Sequence, residues 1–149
     1  MSRYVAIVRA QSGDGLLLLG RLLLSLIFIH EAVTLSTGFA AAAAAMGKVG
    51  VPPYVMALTI VLQLGCGLML ALGWYGRLGA LFLALFCFAT AFLFHLDFAV
   101  RNELLHFEKD LAIAGGMLVL AATGTGAWSL DRLWDGRMPP VGQLTQQDH

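Results

Sequence analysis

Apolar positions in this chain fall in long unbroken blocks, separated by short polar breaks. Four runs stand out, at residues 15–33, 54–72, 78–96 and 111–127. Each is close to the ~20 residues a helix needs to cross a ~30 Å hydrocarbon core. None shows the period-two alternation of a membrane barrel strand. Turn residues divide the runs. Pro52-Pro53 opens the second, and Gly73-Trp74-Tyr75-Gly76 makes a tight hairpin of the second and third. Gly124, Gly126 and Trp128 close the fourth. Between the first two runs lies an unbroken alanine stretch, Ala40 to Ala45. Alanine is the best helix former, but the stretch is too short to span, so a short interfacial helix is expected there. The pattern predicts an all-α integral membrane protein. The expected architecture is a four-transmembrane-helix bundle with a short interfacial helix in the first outer loop. It forms a single domain over 1–149, with a polar tail at 134–149.

Composition removes the alternatives. Hydrophobic residues make up 59% of the 149 and charged residues only 12%, against about 25% charged in a soluble domain. An ordinary soluble enzyme, a disordered segment and a nucleic-acid binder are excluded. Basic and acidic residues balance at nine each, so no bulk field would draw in a polyanion. Arg3 and Arg9 ahead of the first run resemble the start of a signal peptide. That run is longer than a signal-peptide core, however, so a retained span is expected.

The placement of the charges sets an expected orientation. With four spans, six basic residues share the side of both termini: Arg3, Arg9, Arg21, Arg77, Arg132 and Arg137. Lys48, Arg101 and Lys109 lie on the other. The positive-inside rule then puts both termini in the cytoplasm. The outer side collects Glu31, Asp97, Glu103, Glu108 and Asp110, together with His30, His95 and His106. Glu103, His106 and Asp110 are spaced i, i+3, i+7 and share one helical face. Ionisable groups at a bilayer are costly unless paired, solvated or functional. Three readings stay open: a water-satisfied belt, a polar ligand pocket, or a metal site. The last lacks any tight ligand spacing such as His-x-x-x-His, and no metal ligands are assigned.

Two further polar residues lie inside spans. Arg21 sits about 9 Å into the first run by helical rise. It either snorkels to head groups or pairs across helices, with Gln63, Asp131 or a helix C-terminus as partners. Gln63, in the middle of the second run, should face the bundle interior, as should Thr90 and Ser25 more mildly. Small residues recur every four positions at Gly76, Ala80 and Ala84, at Gly67 and Ala71, and at Ala112 and Gly116, where backbones can approach closely. Cys66 and Cys87 lie at different depths and should not form a disulfide. No Cys-x-x-Cys, Walker loop or Gly-x-Gly-x-x-Gly is present, so no nicotinamide, flavin or iron–sulfur centre is encoded.

Several segments together resemble the DoxX-like family. Arg21 to Phe28 is similar to its opening span, and Gly50-Val51-Pro52 to the break before its second. Leu64-Gly65-Cys66-Gly67-Leu68, then Leu72-Gly73 and Arg77, resemble its second helix and hairpin. His95 matches the His ending its third span. Glu108 to Gly116 resembles the start of its fourth, and Gly124-Thr125-Gly126 with Ser129-Leu130-Asp131 its closing motif. The chain differs at His30-Glu31, Gln63 and Asp110, where the family often has Gly and Lys, Glu, and Asn. The resemblance implies a four-helix bacterial or archaeal membrane protein. The namesakes of that family are small subunits associated with quinol oxidase and thiosulfate:quinone oxidoreductase activity. The expectation is a membrane subunit of a respiratory or quinone-linked oxidoreductase complex in the cytoplasmic (inner) membrane, without catalysis by this chain alone. Its partners would be membrane lipid and other subunits, and its ligand a quinone head group. The expected contacts are His95, His30, Glu31 and Arg21, with Gln63 and Asp110 next. A purely structural anchoring subunit and a small-molecule transporter or channel are the alternatives. No span carries the Gly/Pro break expected of a transporter.

Overall fold

The computed structural model describes residues 2–48 and 50–134. The polar tail after Trp134, with Arg137 and His149, lies outside the described residues. The described chain is helical with no strands. Its elements are α1 (Ser2–Thr37), α2 (Phe39–Gly47), α3 (Pro53–Leu72), α4 (Gly76–Phe94), α5 (Arg101–Thr123) and α6 (Leu130–Trp134). The membrane-helix architecture expected from the apolar runs is present, and the alanine stretch forms the short helix α2.

Local chemistry sets the ends. Pro53 occupies the first position of α3, where a missing N–H costs nothing, behind an extended Pro52. The helix stops at Gly73, whose φ of 66° is left-handed. Gly73 N–H donates to Leu70 O and Trp74 N–H to Met69 O, the paired bonds of a Schellman cap. α5 ends at Gly124, with φ 91°, and Gly124 N–H donates to Leu120 O at 2.8 Å. Its last helical residue is thus Thr123, short of the apolar run's end. It begins at Arg101, well before the run starts. Phe107 anchors this charged first half, edge-on to Phe92 and Phe98 at 5.4 and 5.2 Å.

α4 lies along α5, α1 along α3, and α3 along α4, with α1 meeting α5 more lightly. The core at their centre holds Phe28, Leu70, Ala80, Leu83, Ala84, Cys87, Ala114, Met117 and Leu120. Small residues make these approaches possible. A Cβ on Gly79 would lie 3.1 Å from Cys66 O, and one on Gly67 would lie 3.0 Å from Ile29 Cγ1. The stripe of Gly76, Ala80 and Ala84 is buried. In the stripe on α5, Ala112 is exposed and Gly116 meets Leu24 of α1. Both cysteines are free thiols.

Three helices are long and apolar enough to cross a membrane: Gly13–Thr37, Pro53–Leu72 and Gly76–Phe94. The fourth expected span corresponds to α5, whose first half carries Arg101, Glu103, Glu108, Lys109 and Asp110. Outward-facing Leu and Phe side chains on α1, α3 and α4 form the surface that lipid would cover.

Candidate functional site

The bundle has two chemically different ends. At the end holding the α4–α5 connection, a cavity of about 290 Å³ opens between four helices. α1 contributes Ile27, Phe28 and Glu31, and α3 contributes Gln63. α4 adds Phe86, Cys87 and Thr90, followed by His95. α5 supplies His106, Lys109, Asp110 and Ile113. These four α5 positions follow i, i+3, i+4, i+7 spacing, one face of a helix.

The polar groups form a connected set. His95 Nδ1 donates to Glu103 Oε2 at 2.6 Å, the one contact between a basic and an acidic side chain within salt-bridge distance among the described residues. The His95 and His106 rings stack with centroids 5.1 Å apart and planes 25° from parallel. Lys109 Nζ donates to His106 Nδ1 at 3.3 Å, which leaves the other ring nitrogen to carry the proton. Deeper in, Thr90 Oγ1 lies 2.9 Å from Asp110 Oδ2, while also touching Phe86 O and Cys87 O. Gln63 is 6% exposed, yet its Oε1 has no hydrogen-bond partner. A buried polar atom left unmatched costs about 1–3 kcal/mol. Among the described residues no cluster of three His, Cys, Asp or Glu side chains has metal-binding geometry.

Four of the six residues expected as contacts therefore meet here: Glu31, Gln63, His95 and Asp110. His30 does not. It is exposed, because at 100° per residue it turns away from the face that carries Ile27, Phe28 and Glu31. Arg21 does not either. It lies ten residues from Glu31, about 15 Å along the same helix. Sequence reasoning placed His106 on one helical face with Asp110 without counting it among the contacts, and it took Lys109 only as an outer-side charge. The signal that could have found Lys109 was its position next to Asp110, three residues after His106, on that same face.

Arg21 belongs to the opposite end, where it closes a clasp. It is 2% exposed. Nη1 donates to Thr125 O and Nη2 to Trp128 O, both at 2.7 Å. The expected interhelical role is thus met by backbone carbonyls after α5. Asp14 Oδ1 accepts from Ala127 N–H at 2.9 Å. Asp131 reaches the α3–α4 hairpin: its carboxylate accepts from Tyr75 N–H at 2.7 Å and Gly76 N–H at 3.1 Å. Asp131 N–H returns a bond to Gly73 O at 2.9 Å. The carboxylate sits at the start of α4, where the helix dipole favours it. It also holds Tyr75 at φ 48°, a left-handed conformation rare for a non-glycine residue.

These features define a small polytopic membrane protein, with a stapled loop at one end and a polar cavity at the other. The chain belongs to the DoxX family, whose model matches residues 16–96, from within α1 to Leu96, just past His95. It is 44% identical over 116 residues to inner membrane protein YqjF of Escherichia coli strain K12, covering 78% of this chain and 89% of that protein. It is 32% identical over 124 residues to inner membrane protein YphA of the same organism, with the same shares covered. No solved structure matches the chain.

Proposed function

We propose that this chain is an inner-membrane subunit of a respiratory or quinone-linked oxidoreductase complex, with both termini cytoplasmic. In this reading the His-lined cavity receives a quinone or quinol head group. The observation that carries the proposal is the orphaned Gln63 amide, buried in the wall of a cavity of about 290 Å³. Its oxygen would accept from a quinol hydroxyl; turned over, its NH₂ would donate to a quinone carbonyl.

The rest of the lining suits the same ligand. Ile27, Phe28, Phe86, Cys87 and Ile113 offer apolar walls to a ring. Lys109 and His106 offer donors and Glu31 an acceptor at the exposed rim, and Asp110 offers a further acceptor deeper in. A bound quinone would supply two-electron, two-proton chemistry. The residues of this chain would orient the head group and exchange protons with the surface through the His95–Glu103 pair. Redox centres would come from partner subunits.

The test is gentle purification with partner chains, followed by extraction and quantification of quinone. Native protein should retain it, and His95→Ala or Gln63→Met should lose most of it. His30→Ala should retain it, since His30 faces away. Retention unchanged by both cavity variants, in a complex that keeps full activity, refutes the proposal and leaves a structural anchoring subunit. Solute flux by the isolated chain in liposomes would instead establish a transporter.

A further inference from the structure

A second and larger cavity, of about 800 Å³, opens at the clasp end. Trp74, Tyr75, Arg77, Leu78, Arg132 and Trp134 are in its wall. Its acidic group is already committed, because the Asp131 carboxylate is engaged by the Tyr75 and Gly76 amides. The two guanidiniums are not. Arg77 Nη2 reaches only Thr123 O, at 3.3 Å, and neither Arg77 nor Arg132 has a carboxylate partner among the described residues. Among the described residues, two planar cations thus face one cavity against a single carboxylate that already accepts two amide N–H bonds and pairs with neither, which leaves the lining net positive. Guanidinium groups bind phosphate oxygens in a bidentate manner.

We propose that this cavity binds the phosphate of an anionic phospholipid. Three observations favour a lipid over a free anion. The rim is aromatic, with Trp74, Tyr75 and Trp134 all exposed, as expected of rings at head-group depth. Leu78 lies in the cavity wall and is itself exposed. From it an exposed apolar line continues along α4 through Phe82 and Leu85, at i+4 and i+7. A head group seated between Arg77 and Arg132 would therefore lay an acyl chain along α4. A choline or ethanolamine head group would add a cation beside two arginines, so a lipid of net negative charge is selected.

The test uses the full chain in nanodiscs of equal phosphatidylglycerol and phosphatidylcholine, with retained lipid counted by native mass spectrometry. Native protein should keep phosphatidylglycerol in excess over its bulk fraction. Arg77→Gln and Arg132→Gln should each lower that enrichment about five-fold, as expected for one cation near an anionic surface. Each single variant keeps the test readable if the other does not fold. Arg101→Gln, at the other end of the bundle, should leave the enrichment unchanged. Equal retention of the two lipids by native protein overturns the proposal. So does enrichment that survives both single variants, or an equal loss in Arg101→Gln. Displacement of the lipid by inorganic phosphate in the buffer would assign the cavity to a free anion and overturn the lipid assignment.

Discussion

Replacing Arg21 with Met tests the clasp directly. The side chain is buried, and its Nη atoms make two 2.7 Å bonds to backbone carbonyls more than 100 residues away in sequence. A hydrogen bond to a charged group contributes about 1.5–3 kcal/mol. The bond to Thr125 O is buried and takes the upper part of that range, while the one to Trp128 O is part-buried and takes the lower. Met fills a similar volume, so little cavity is created. Two carbonyls lose their donors, against relief from burying a cation. The net expectation is a loss of about 3 kcal/mol. Arg21→Lys keeps the charge but can satisfy only one carbonyl well, and should lose about half as much. The assay is unfolding by sodium dodecyl sulfate in mixed micelles, followed by intrinsic fluorescence. All three tryptophans, Trp74, Trp128 and Trp134, sit at this end, so the signal reports the clasp itself. An Arg21→Met chain within about 0.5 kcal/mol of native would refute the reasoning, because it would mean that water replaces the guanidinium at no cost.

Gly73→Ala should be far more damaging than Gly115→Ala in the same assay. A Cβ at Gly73 would meet Ser129 Cβ at 2.5 Å and Arg21 Nη1 at 2.6 Å, at a left-handed φ, whereas Gly115 faces open space. The conformational part alone costs about 1–2 kcal/mol. Asp131→Asn should destabilise by about 1–2 kcal/mol, since one amide oxygen replaces a carboxylate that accepts two N–H bonds. Gln63→Met should leave stability unchanged or raise it by about 1 kcal/mol, because it removes an unmatched buried oxygen. The same variant should bind less quinone, so stability and ligand retention should part company.

The helices were legible because lipid requires long apolar blocks, and Gly73, Gly124 and Pro53 mark their ends in residue type alone. The start of α5 was not legible. Its charged first turns carry no apolar block, and Phe107 holds them through contacts with Phe92 and Phe98 that only the fold creates. The cavity residues were legible as a group, since alternating spans put His95, Glu31 and Asp110 at one end. Which of His30 and Glu31 faces inward depends on helix phase, and adjacent residues differ by 100°. Arg21 was visible as a costly charge, but its partners are main-chain carbonyls, which leave no trace in residue identity.

The clasp also bears on how the protein is made. Arg21 enters the membrane early, yet its acceptors lie 104 and 107 residues later. At about 5–20 residues per second of synthesis, the first helix must wait roughly 5–20 s before Thr125 emerges. Throughout that interval its cation depends on head groups and water. A nascent chain cut short before residue 125 would leave the charge uncompensated in the bilayer, a mark by which membrane quality control could tell an unfinished molecule from a finished one.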